Sequence, residues 1–260
     1  MAGELLNIQD LTISVKGTGP EQRIVDGLNV IVGEQKIVAL VGGSGSGKTT
    51  TGLSILGLLP DALAIRQGQI MFRGENLVTR PAHRLRKIRG KDIAMIFQEP
   101  LNAFNPVFRI GQQVEEVLLF HTSLNRRERE ARVKELLHIV GISDPGRVAR
   151  SYPHQLSGGM RQRAMIAQAI AAGPKLIIAD EPTSSLDVTL QAHIMELLKK
   201  LRNELKISIL LITHDLGMVE HLADEAAVLF EGKVVEFGSA ESIVRRPQHE
   251  FTRRLMEAFR

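Results

Sequence analysis

The chain contains no cysteine and no tryptophan, and it has a single tyrosine. Without cysteine there can be no disulfide framework, thiolate zinc site, Cys-ligated iron–sulfur cluster or cysteine nucleophile; the absence also fits a reducing compartment. No apolar run approaches the roughly 18 residues that a membrane span needs. The most continuous ones, Leu176–Ala179 and Ile209–Ile212, have the length of buried strands. Glu4 and Asp10 interrupt the first apolar stretch, so no secretory signal is expected. A large excess of one charge is also missing: 33 Lys and Arg against 29 Asp and Glu leave +4. That balance does not describe a dedicated nucleic-acid binder. What remains is a 260-residue chain, 43% hydrophobic, with ample material for a core.

Short apolar strands alternate with amphipathic helices, which predicts an α/β fold with a mainly parallel sheet. Leu5–Val15 and Ile24–Val32 read as N-terminal antiparallel strands joined by the loop Gly17-Thr18-Gly19-Pro20. Lys36–Val41, Gly68–Phe72 and Ile93–Phe97 read as further strands, with a helix from Gly47 to Leu59 stopped by Pro60. Between 102 and 152 helices dominate, Val114–Phe120 and Arg126–Val140 most clearly, and an inserted helical subdomain is expected there. The strand–helix rhythm then returns over 153–238, and 239–260 reads as a tail of two short helices. The whole is expected to be one domain, with 1–101 and 153–238 forming its α/β core.

Gly42-Gly43-Ser44-Gly45-Ser46-Gly47-Lys48-Thr49, followed by Thr50, fits the phosphate-loop pattern between a strand and a helix. The glycines let successive N–H groups curl around phosphate oxygens, and the helix start adds a favourable dipole. Lys48 is placed to reach β- and γ-phosphates and the Thr49 hydroxyl to bind Mg²⁺. Leu176–Ala179 runs into Asp180-Glu181. Carboxylates at the tip of a buried strand are costly unless a cation meets them, so Asp180 is assigned to Mg²⁺ and Glu181 to polarising the attacking water. Gln98 and His214 also follow apolar strands, and strand ends of a parallel sheet converge on one crevice. Gln98 can bridge metal and water; His214 can donate to the γ-phosphate.

Leu156-Ser157-Gly158-Gly159-Met160-Arg161-Gln162-Arg163 opens a long helix with a hydroxyl and small residues, a second anion-receptive helix start. Two such starts and one phosphate loop suggest head-to-tail pairing, Ser157 of one subunit covering the ATP of another. At this point the order of motifs, from the phosphate loop through Gln98, Leu156–Gly159, Asp180-Glu181 and Ser184–Asp187 to His214, closely resembles the nucleotide-binding subunits of ABC transporters over the whole chain. The resemblance implies that two ATP molecules are sandwiched between two such domains. Ser157, Gly158 and Gly159 then contact the γ-phosphate across the interface, and Asp187 helps link the two sites.

Phe97-Gln98-Glu99-Pro100, Asn102–Pro106 and Arg246–Thr252 look like the dipeptide, oligopeptide and nickel importer branch, in its short form without a Cys-rich extension. That likeness implies ATP and Mg²⁺ as ligands and a place at the cytoplasmic face of the membrane. The implied partners are two integral membrane permease subunits, a second ATPase subunit (a related chain or this one) and, through the complex, an extracytoplasmic solute-binding protein. The competing class is a soluble ABC ATPase acting on nucleic acid or ribosomes. Such proteins usually carry a long coiled-coil insertion or two ATPase domains, whereas Gln98 and Ser157 are only 59 positions apart. No nucleic-acid partner is therefore expected, and Arg80–Lys91, six basic residues in twelve, reads as a solvated helix. One departure stands out: family members usually stack adenine on an aromatic residue near the N-terminus, whereas the first aromatic here is Phe72. Val15 or a neighbour offers only apolar contact at that place, so GTP is expected to compete better than the family norm.

Overall fold

The computed structural model describes residues 3–17, 22–184 and 186–257. Its elements, in chain order, begin with β1 (Glu4–Val15), β2 (Arg23–Gly33), β3 (Ile37–Gly42), α1 (Lys48–Ile55), β4 (Leu63–Phe72), β5 (Glu75–Asn76), α2 (Ala82–Ile88) and β6 (Ile93–Ile96). Four helices follow, α3 (Pro100–Ala103), α4 (Ile110–His121), α5 (Arg126–Ile139) and α6 (Pro145–Arg150), then a 3₁₀ turn at Pro153–Gln155 and α7 (Gly158–Ile170). The chain continues through β7 (Leu176–Asp180), α8 (Val188–Leu205), β8 (Ser208–Thr213), α9 (Leu216–Leu222), β9 (Glu225–Phe230), β10 (Lys233–Ser239), α10 (Ala240–Arg245) and α11 (Glu250–Glu257). It divides into two compact units, Met1–Arg86 with Arg202–Arg260, and Lys87–Leu201.

The first unit holds two sheets. One is antiparallel, in the order β2-β1-β4-β5; its β1 buries Leu6, Ile8, Leu11 and Ile13, together with Thr12 and Ser14, and exposes Glu4, Gln9 and Asp10. In the other, β3 lies parallel between β8 and β9, and β10 adds antiparallel to β9. Every residue of β3 and of β8 is buried, as the apolar runs Ile37–Val41 and Ile209–Ile212 require of strands covered on both faces. Asp224 ties this sheet at its lower end: its carboxylate accepts from Ile37 N–H at 2.8 Å and from the Arg202 guanidinium at 3.1 Å.

In the second unit β6 and β7 pair in parallel, Ile93↔Leu176 through Ile96↔Ala179. α4, α5 and α6 bury Ile110, Val114, Leu118, Val133, Leu136, Leu137 and Val148, a helical core without strands. α8 buries Ile194, Leu197, Leu198 and Leu201, the i, i+3, i+4, i+7 stripe of an amphipathic helix. No helix among the described residues is long and apolar enough to cross a membrane.

Several bounds differ from the sequence pattern. α1 ends at Ile55 rather than Leu59, because Gly57 takes φ +60° and turns the chain before Pro60 is reached. β4 begins at Leu63, five residues earlier than the apolar run indicates. Its polar stretch Arg66-Gln67 stays in the sheet because Val15↔Leu63 and Ile13↔Ile65 pairing holds it there. α2 buries none of its residues, the solvated helix that its charge pattern predicts. The tail forms α10 and α11, two short helices. The expected loop at Thr18-Gly19-Pro20 lies outside the described residues, as does Ser185 within Ser184–Asp187.

Candidate active site

In the first unit, the phosphate loop begins where β3 leaves the sheet. Gly42 pairs with Leu229 of β9, and a Cβ there would stand 2.3 Å from the Leu229 carbonyl oxygen, so only glycine fits. At the other end Gly47 has φ +100°, and its Cβ would fall 2.7 Å from the Ile24 carbonyl oxygen. Two constraints, a left-handed backbone and a close strand, therefore fix this glycine. Between them Ser44 and Gly45 are exposed. Among the described residues, no internal partner takes the N–H groups of Ser44, Gly45 and Gly47.

Lys48 is buried, and its ammonium donates to Gly42 O at 2.9 Å, Gly43 O at 2.8 Å and Ser46 Oγ at 3.3 Å. A buried cation folded over a loop with unpaired N–H donors fits a polyphosphate. Thr49 is exposed at the loop–helix junction and Thr50 half-buried. His214 follows directly on Thr213, which pairs with Val41, so it stands at the same carboxyl edge as the loop. The Asp215 carboxylate holds the turn after it, accepting from Gly217 N–H at 2.7 Å and Met218 N–H at 3.2 Å.

In the second unit, β7 ends in Asp180, a carboxyl group only 3% exposed. Glu181 follows with φ +44°, a left-handed conformation that is rare for a non-glycine residue and costs about 1–2 kcal/mol. Its carbonyl accepts from Ser184 N–H and Oγ, both at 3.2 Å, which pins the tight turn. The turned side chain accepts a hydrogen bond from Gln98 Nε2 at 3.1 Å. Gln98, Asp180, Phe97, Glu99, Asn102 and Ala103 line a cleft of about 520 Å³. The structure thus brings together three of the residues that the sequence singles out, Gln98, Asp180 and Glu181. The strained backbone at Glu181 has no sequence signal; glycine is the residue that such a turn favours.

Ser157 caps α7 by accepting from Met160 N–H at 3.4 Å and is exposed. Gly158 is half-buried, while Gly159 is buried, where a Cβ would lie 3.1 Å from Leu190 Cδ1. Asp187 is exposed and accepts from Leu190 N–H at 2.9 Å, so it also caps the start of α8.

A buried strand feeding a glycine loop that wraps a lysine, together with a second strand ending in paired acids, defines a phosphate-loop nucleotide-binding ATPase. The family profile described as "ABC transporter" matches residues 25–184. The oligopeptide transport ATP-binding protein OppD of Bacillus subtilis (strain 168) is 44% identical over 249 residues, 95% of this chain and 70% of that protein. The dipeptide transport ATP-binding protein DppD of the same organism is 42% identical over 254 residues, 97% and 76% of the two chains. Among solved structures, the dimeric post-hydrolysis state of the ATP-binding cassette MJ0796 with ADP and Pi superposes at a TM-score of 0.81. It is 29% identical and covers 90% of this chain and 98% of that one. The chain belongs to the ABC transporter family, as an ATP-binding, ATP-hydrolysing subunit.

Proposed function

We propose that this chain is the motor subunit of a peptide importer, peripheral at the cytoplasmic face of the membrane. It would work there with two permease subunits, a second ATPase subunit and an extracytoplasmic binding protein. Both reported relatives are named for peptides, which favours peptides over the nickel or metal chelates that the branch resemblance also implies. The observation that carries the ATPase reading is Glu181, held in a strained backbone and hydrogen-bonded to Gln98 beside the cleft that Asp180 lines.

The roles follow from the chemistry of each group. Gly42 through Gly47 enclose the triphosphate with backbone N–H groups, and the Lys48 ammonium exchanges its carbonyl partners for β- and γ-phosphate oxygens. Mg²⁺, held by the Thr49 hydroxyl with Asp180 and Gln98 in support, would neutralise charge developing on the phosphates. Glu181 accepts a proton from the attacking water, with Gln98 orienting the carboxylate. His214 donates to the γ-phosphate, and Ser157, Gly158 and Gly159 of the opposed subunit close over it, with Asp187 linking the two sites. Residues 102–152 form the helical lobe that passes closure of the ATPase pair to the permease subunits.

Co-purification and uptake test this together. Affinity isolation from membranes is expected to bring down two integral membrane subunits, and deletion is expected to abolish uptake of labelled peptides. RNA-dependent ATPase activity with no membrane partner would overturn the transport role; loss of nickel uptake with peptide uptake intact would overturn the peptide class.

A further inference from the structure

Aromatic rings are distributed unevenly over the chain. None precedes Phe72, which is itself buried. At the carboxyl end of β9, Phe230 packs on Phe251 with ring centroids 4.1 Å apart. Phe237 pairs with Ala227, lower on the sheet.

In the second unit, by contrast, the single tyrosine forms a platform. The Tyr152 ring lies parallel to the His154 imidazole, 8° between planes and 5.7 Å between centroids, and the Arg109 guanidinium carbon is 5.9 Å from the Tyr152 centroid. The 3₁₀ turn Pro153–Gln155 holds this arrangement, with Tyr152 N–H donating to Gln155 Oε1 at 2.8 Å. Tyr152 is half-buried while His154 is exposed, so the phenol backs the imidazole and leaves its outer face open. Ser157 follows three residues later, and three residues of chain reach at most about 10 Å. A molecule seated at Ser157 therefore extends within range of His154.

We propose that the outer face of His154 is a stacking surface for the base of the nucleotide whose γ-phosphate meets Ser157, with Tyr152 as its positioning residue. The inference rests on the head-to-tail pairing in the proposed function: the base belongs to a nucleotide on the second subunit's phosphate loop. The ring missing upstream of this chain's phosphate loop is replaced, for the opposed nucleotide, by a ring beside the signature serine. Every base has a π-face, so such a platform accepts purines with little discrimination.

The test uses the assembled transporter, with ATPase rate measured against ATP concentration. His154→Ala is expected to raise KM for ATP by about fivefold or more, the effect of losing one stacking face, and to leave kcat within about twofold. Inhibition by inorganic tripolyphosphate, which has no base, is expected to stay at the wild-type level. His154→Phe restores KM. An unchanged KM in His154→Ala, or tripolyphosphate inhibition weakening in step with it, would overturn the proposal, the second by revealing a disturbed Ser157 loop. Ser157→Ala runs alongside. If its turnover matches wild type, the pairing itself fails and this inference with it. If its turnover collapses while His154→Ala keeps its KM, the pairing stands and only the ring is removed from it.

Discussion

Replacing Glu181 separates the chemical role of this side chain from its structural one. Glu181→Gln keeps the shape and an oxygen that can accept from Gln98 Nε2, now 3.1 Å from the carboxylate. It also keeps the left-handed backbone at φ +44°, so that strain is common to both proteins. The charge-assisted hydrogen bond from Gln98 becomes a neutral one between incompletely buried groups, a change worth less than about 1 kcal/mol. Folding stability is therefore expected to stay within about 1 kcal/mol of wild type. Loss of a general base instead lowers hydrolysis by about 10²–10⁴, or about 3–5 kcal/mol of barrier. A second variant, Glu181→Gly, removes the base and relieves the strained φ, so it is expected to be at least as stable as wild type while hydrolysing no faster than Glu181→Gln. The assay is steady-state phosphate release by the assembled transporter at saturating ATP, with nucleotide retention and urea unfolding in parallel. Glu181→Gln is expected to retain ATP and accumulate a closed pair. Turnover within about tenfold of wild type would remove Glu181 from the role of base. A Glu181→Gly protein clearly less stable than wild type would refute the strain argument.

Two further expectations concern the nucleotide. Gly47→Ala places a Cβ 2.7 Å from Ile24 O and 3.0 Å from Val25 Cγ2 at φ +100°, whereas Gly43→Ala meets nothing within 4 Å. The first is expected to cost about 1–3 kcal/mol of stability and most nucleotide affinity; the second leaves stability within about 0.5 kcal/mol. Urea unfolding with nucleotide titration checks both, and equal stability of the two variants would refute the steric argument. GTP is expected to displace labelled ATP at concentrations close to those of ATP itself, since no aromatic residue precedes the phosphate loop. A strong preference for ATP in competition binding would count against it.

The phosphate loop, the Asp180-Glu181 tip and the signature segment were legible in the sequence because each is a contiguous run whose chemistry needs fixed residue types at fixed spacing. The all-buried strands β3, β7 and β8 were legible for a similar reason: covered on both faces, each has to carry a continuous apolar run, with polar residues only at its ends. Sequence pattern placed Gln98 at a strand end but could not supply its partner, which lies 83 positions away and meets it through the fold. It gave no sign that Glu181 occupies a backbone region suited to glycine, because that conformation is imposed by the turn that Ser184 closes. Nor did it show Tyr152 backing His154, an alignment held by a 3₁₀ turn and the Gln155 side chain. The N-terminal half of β4 was hidden too, since its polar residues are kept in the sheet by pairing with β1. Sequence by itself determined which groups are present and which must be buried, because burial and phosphate binding act on local residue type. Tertiary structure alone decided which groups touch and which carry strain, because those depend on segments that only folding brings together.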